Sequence, residues 1–169
     1  MIKIGLLSDT HSVLEDQILE DFSECDEIWH AGDIGSMEVL ERLEAFRPVR
    51  AVYGNIDDAT MRRACPLNQR FTVEGLDVFM THIGGYPGRY TARVRDIIRD
   101  DPPKLYICGH SHILKIMPDR KHNLLHINPG ACGIHGFHRE KTVVRFGIED
   151  GKIQDLEVIN LGKRGAIRN

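Results

Sequence analysis

The sequence predicts a layered α/β (α+β) fold, a four-layer αββα sandwich in which two mixed β-sheets face each other with helices on their outer sides. Three observations lead there. The first third of the chain runs strand, helix, strand, helix, strand, the rhythm of parallel strands joined by helical crossovers. The later part is rich in apolar runs separated by turn residues, which reads as antiparallel hairpins. No linker, internal repeat or low-complexity tract divides the 169 residues.

Taken in order, Ile2 to Leu7 is a short apolar run stopped by Ser8-Asp9-Thr10, which reads as a buried strand. Val13 to Phe22 has apolar residues at helical spacing. Glu27 to His30 is a second strand, ended by Ala31-Gly32-Asp33. Ser36 is placed to cap a helix running to about Ala45, with Val39, Leu40 and Leu43 on one face. Val49 to Tyr53 is a third strand, cut off by Gly54-Asn55. Arg70 to Val73 and Asp77 to Thr81 form a hairpin about Glu74-Gly75. Tyr90 to Arg99 is helical, with Val94, Ile97 and Ile98 inward, and Pro102-Pro103 ends it. Leu105 to Cys108 is a strand. Ile113 to Met117 pairs with Leu124 to Ile127, and Thr142 to Ile148 pairs with Ile153 to Ile159 about Asp150-Gly151. The expected domain spans residues 1–160, with 161–169 as a frayed tail.

Bulk properties narrow the function classes. Hydrophobic residues make up 41% and charged residues 28%, an ordinary globular balance. The formal charge of −3 offers no broad basic field for long nucleic acid. No run approaches the ~18 apolar residues of a membrane span. Cys25, Cys65, Cys108 and Cys132 show neither CxxC nor zinc-finger spacing and read as small buried side chains. The chain is expected to be cytoplasmic.

The chemistry gathers at strand ends. Asp9-Thr10-His11 follows the first strand, Gly32-Asp33 the second and Gly54-Asn55-Ile56-Asp57 the third. Thr81-His82 ends a later strand, and Gly109-His110-Ser111-His112 follows another. Ligands of open α/β sheets bind outside the carboxyl ends of the strands, so five such clusters can face one place. Each alone is unremarkable, since Gly-Asp and Gly-Asn are ordinary turn pairs. Together they supply two carboxylates, one amide and four histidines, a mixed oxygen and nitrogen set suited to first-row divalent ions. Asp-x-His and His-x-His would point the same way if they lay on strands. Seven donors exceed the needs of one tetrahedral ion; sharing one carboxylate gives four contacts to each of two. His30, His122 and His126 read as structural or surface residues. His135 and His138, in the Gly-rich loop after Asn128-Pro129-Gly130, are within chain reach of a substrate.

The series Asp9-x-His11, Gly32-Asp33, Gly54-Asn55-x-Asp57, His82 and Gly109-His110-x-His112 resembles the calcineurin-like metallophosphoesterase superfamily. Asn128-Pro129-Gly130 is similar to its small single-domain bacterial and archaeal phosphodiesterases. The resemblance implies two facing sheets flanked by helices. It also implies one ion held by Asp9, His11, Asp33 and His112, and a second by Asp33, Asn55, His82 and His110, with Asp33 shared. Asp33, Asn55 and His110 become the catalytic residues, with a metal-activated water as nucleophile in an in-line attack. Two divalent ions are expected, manganese foremost, with iron, zinc, nickel, cobalt or magnesium as alternatives. The substrate is then a small phosphate ester, most simply a diester, and self-association into a homo-oligomer fits the subgroup. Two departures stand out. Many members carry a His after the motif Asn that assists the leaving group, where this chain has Ile56. The family often has Gly after the His at position 82, where this chain has Ile83. The rival expectation is a non-catalytic protein-binding scaffold on the same fold, as the retromer sorting subunit resembles.

Overall fold

A computed structural model describes residues 1–165. The elements run β1 (Ile2–Leu7), α1 (Asp16–Asp21), β2 (Glu27–His30), α2 (Met37–Phe46), β3 (Val49–Ala51) and α3 (Ala59–Ala64). Next come β4 (Asn68–Val73), β5 (Leu76–Thr81), β6 (Gly85–Tyr86), β7 (Arg89–Tyr90), α4 (Ala92–Asp100) and β8 (Leu105–Ile107). The chain closes with β9 (Leu114–Asp119), β10 (Leu124–Pro129), β11 (Glu140–Glu149) and β12 (Lys152–Lys163).

They build two five-stranded mixed sheets, ordered β12-β11-β1-β2-β3 and β4-β5-β8-β10-β9. In the first, β1 and β2 are parallel (Leu7 opposite His30), as are β2 and β3, while β11 joins β1 antiparallel with Leu6 opposite Val144. In the second, β5, β8 and β10 are parallel, and the hairpin strands β4 and β9 close the edges.

The two-residue period of the strands divides the apolar side chains among layers. Ile4, Leu6, Trp29, Val144 and Phe146 join Val78, Met80, Ile107 and Ile127 between the sheets. Leu7, Ile28 and Val143 face the other way and pack on Ile18, Phe22, Leu40 and Leu43 from α1 and α2. Phe79, Tyr106 and Leu124 pack on Val94 and Ile98 of α4. Those three clusters are the seams of the four predicted layers.

Several boundaries differ from the sequence reading, each for a local reason. The helix expected from Val13 begins at Asp16, because His11 and Ser12 lie in the left-handed region and their N–H groups bond Asp33 O and Ile34 O. Ser36 stands at the first end of α2, but its side chain makes no cap bond. Helix α3 was not anticipated. Its six residues are too few to show a period, and the signal was Asp58, whose carboxylate accepts from Met61 N. Tyr90 closes the β6–β7 ribbon instead of opening a helix. The fray expected after Asn160 does not start there. β12 continues to Lys163, Leu161 is buried against the outer core, and Arg164 donates to His138 O and Ile134 O. The rest of that expected tail, 166–169, lies outside the described residues.

Candidate metal centre

All five strand-end clusters converge. Asp9 and His11 follow β1, Asp33 follows β2, Asn55 follows β3, His82 follows β5, and His110 and His112 follow β8. Asp9, His11 and His112 form one group whose donor atoms lie within 4.8 Å of one another; Asp33, His82 and His110 form a second. Asp33 Oδ2 stands between them, 3.4 Å from His11 Nε2 and 3.2 Å from His82 Nε2. Asn55 Oδ1 joins the second group, 3.0 Å from His110 Nδ1.

The donors do not sit on strands, as the two-residue spacing suggested. Asp9, His11, Asp33, His110 and His112 all have φ between 44° and 71°, the left-handed region that non-glycine residues seldom occupy. The loops aim these side chains, and each such residue costs on the order of 1 kcal/mol that the surrounding contacts must offset. Close approach helps set the geometry. A Cβ at Gly54 would fall 2.0 Å from Asp33 Oδ1, and one at Gly32, itself at φ 101°, would fall 2.6 Å from the His82 ring.

Neighbouring groups fix which donor atom faces inward. Asp9 Oδ2 accepts from Ser8 Oγ at 2.6 Å and from His110 N at 3.2 Å. Its Oδ1 then points at the Nε2 atoms of His112 (3.2 Å), His11 (3.8 Å) and His82 (3.8 Å). His82 donates from Nδ1 to Ala31 O at 2.7 Å, which turns Nε2 toward the carboxylates. Asp33 Oδ1 accepts from Ile56 N at 3.0 Å. Asp57, seen in the sequence only as part of a motif, ties two site loops together: its carboxylate accepts from Ile34 N, Gly35 N and Gly54 N. Asn128 plays the same part for the last loop, donating to Gly109 O and Ser111 Oγ. His30 has the structural role expected of it. Gly32 N donates to Nδ1, and Nε2 pairs with Thr10 Oγ1, which donates to Ile34 O.

The chemistry of the donor set tests whether a cation fits. Among the described residues, Asp9 Oδ1, His11 Nε2 and His82 Nε2 are buried without a hydrogen-bond partner. Idle buried polar atoms are costly unless something satisfies them. Burial would raise the Asp9 and Asp33 carboxyls, but the neighbouring imidazoles, His11 first and then His112 or His82, outweigh it, holding both well below the usual carboxylate range. The same contacts, Asp33 first and then Asp9, raise His11 to about 9. Burial lowers His110. Two ionised carboxylates beside imidazoles with free ring nitrogens suit a divalent ion in each group.

The centre opens into a cleft of about 390 Å³ lined also by Ile56, Ile113, His135, Phe137 and His138. The His135 ring stacks on His11 at 4.8 Å, and His138 meets the His112 ring edge-on at 5.2 Å. Both loop histidines therefore reach the cleft, while His126 is buried against Tyr106 O and His122 pairs with Asp119.

Comparison with known proteins identifies the family and the fold. The calcineurin-like phosphoesterase superfamily domain matches residues 2–151. A probable metallophosphoesterase of Methanothermobacter thermautotrophicus is 29% identical over 166 residues, covering 94% of this chain and 92% of its own. One from Methanocaldococcus jannaschii is 27% identical over 153 residues, covering 87% and 76%. Among solved structures, an archaeal phosphodiesterase has a TM-score of 0.77 at 23% identity, covering 95% of this chain and 100% of that one. Vps29 of Chaetomium thermophilum has a TM-score of 0.76 at 11% identity, covering 97% and 100%. Both likenesses are of fold.

Proposed function

This chain belongs to the calcineurin-like phosphoesterase superfamily, and from that premise we propose that it is a dinuclear metal-dependent phosphodiesterase acting on a small phosphate ester. The observation that carries the proposal is the pair of donor groups meeting at Asp33 Oδ2, with buried polar atoms that no group among the described residues satisfies. Asp9, His11, Asp33 and His112 would hold one ion, and Asp33, Asn55, His82 and His110 the other. Manganese is the first choice for such mixed oxygen and nitrogen donors, with iron, zinc, cobalt, nickel and magnesium as alternatives. A bound pair of this kind lowers the pKa of a water and neutralises phosphoryl charge.

The chain's own residues do the rest. Asp33 places its two oxygens differently, Oδ1 on Ile56 N and Oδ2 between the groups, so its orientation is fixed before anything binds. Ser8, Ala31, Asp57 and Asn128 hold the donors from behind. Ile56, 45% exposed at the cleft, has no proton to give a departing alkoxide. That favours diesters, or esters with stable leaving groups, over unactivated alkyl monoesters. Four buried free thiols support a reducing, cytoplasmic setting.

The test uses bis(p-nitrophenyl) phosphate. Metal-stripped protein should be inert and manganese should restore hydrolysis. Asp33→Ala and His110→Ala should each lose more than about 100-fold. Undiminished rates in both variants, or a protein that takes up no metal as a binding scaffold would, defeat the proposal.

A further inference from the structure

A second cavity of about 330 Å³ borders the centre and shares Asn55 and His82 with it. Tyr53, Leu67 and Ile83 form apolar walls, and Leu67 and Ile83 are 44% and 39% exposed. Two large apolar side chains left open beside a polar centre provide a surface for a flat ring. The remaining wall includes Thr91 and Arg93, and among the described residues no carboxylate lines the cavity.

Arg93 is held at three points. Nη1 donates to Asn68 Oδ1 at 2.8 Å, and Nη2 to Thr81 Oγ1 at 2.9 Å and Ile83 O at 3.0 Å. All three acceptors are neutral, and Arg93 makes no ion pair among the described residues. Its charge is thus fixed in place with no carboxylate paired to it among the described residues. A rigid cation beside apolar walls asks for a ring that carries an acceptor.

We propose that this cavity receives the arm of the ester that stays on the phosphorus, and that the arm is a ring bearing a second anionic group recognised by Arg93. The inference rests on the phosphodiesterase reading and narrows its substrate class to esters with a second phosphoryl or carboxylate group. Arg93 is then a specificity-determining residue, acting through a charge-assisted hydrogen bond that ordering by Asn68, Thr81 and Ile83 prepares in advance.

A matched pair of substrates tests this: thymidine 5′-(p-nitrophenyl phosphate) with and without a 3′-phosphate. The leaving group is the same, so the difference reads the second charge. The 3′-phosphorylated ester should be preferred about tenfold in kcat/KM at low salt, through KM, and less at high salt. Arg93→Gln should bring the ratio to about one, Arg93→Lys should keep part of it, and Arg95→Gln, an exposed arginine on the same helix, should keep all of it. No preference in the wild type, or a preference that survives Arg93→Gln, overturns the inference. If neither ester is hydrolysed with any divalent ion, the phosphodiesterase reading fails separately. Calorimetry with manganese-loaded protein then decides this one. Thymidine 3′,5′-bisphosphate binding more tightly than thymidine 5′-monophosphate, with the difference lost in Arg93→Gln, upholds it, and equal binding overturns it.

Discussion

His11 shows how charge is prepared for a cation. The Asp33 carboxylate, 3.4 Å from its Nε2, and then Asp9 at 3.8 Å raise it to about 9 against the opposing effect of burial. Without an ion, its ring therefore carries a proton at neutral pH. A cation must displace that proton, so binding releases protons and affinity rises with pH until about 9. Calorimetric titration of manganese in buffers of different ionisation enthalpy should show proton release at pH 7. An affinity that stays constant from pH 6 to pH 9 would contradict this account. His82 and Asp9 illustrate the complementary device. In each, one polar atom is tied to a fixed neighbour so that the other faces inward.

At the scale of elements, the site is a set of loops at the carboxyl ends of parallel strands, and its precision depends on how those loops lock together. The loops after β2 and β3 are joined by the three backbone bonds to Asp57 and by the contact of Gly54 with Asp33. Gly54→Ala should push Asp33 out of line, since the new methyl has no room beside Oδ1 and the Asp33 backbone. We expect metal affinity to fall about 10–100-fold with the fold retained, measured by competition with a chromophoric chelator. Asp57→Ala should weaken metal binding by a similar factor, about 10–100-fold, because three loop N–H groups lose their acceptor. Wild-type affinity in both variants would mean that the loops are fixed by other contacts.

Two features belong to the whole molecule. Lys141 of β11 and Glu15 before α1 form a fully buried ion pair across 126 positions of sequence, which ties the amino-terminal site loop to the far hairpin. Lys141→Met leaves the Glu15 carboxylate buried without its cation and should cost about 3–5 kcal/mol in urea unfolding; the double variant with Glu15→Leu should recover much of it. Acid acts through His126 and His30, which burial depresses to about 4 and about 3. Both are neutral in the folded chain, whereas the unfolded chain takes up protons below about 6.5. Their stabilisation is complete above that value and is lost as pH falls through it toward the folded values, at up to about 1.4 kcal/mol per pH unit for each histidine. The urea midpoint should drop between pH 7 and pH 5, and His126→Gln should make that drop smaller. An identical drop in the variant would remove His126 from the explanation.

The sequence by itself determined most of the strands, the layers and which residues are the candidate donors. Short apolar runs bounded by turn residues, Asp150-Gly151 between two of them, and Asp, Asn and His at strand ends are local signals, written in neighbouring residues. Helix α3 and the true start of α1 escaped because a six-residue helix shows no period and because His11 and Ser12 give their backbone to the loop after β2. Only the tertiary structure decided how the candidate donors group, why Asp57 and Asn128 matter, that His135 and His138 reach the cleft, and that Arg93, in no ion pair among the described residues, lines the neighbouring cavity. These depend on distances between residues far apart in the chain, such as His110 N on Asp9 Oδ2 across 101 positions. Sheet pairing sets such distances by bringing the ends of β1, β2, β3, β5 and β8 together, and no local pattern encodes them.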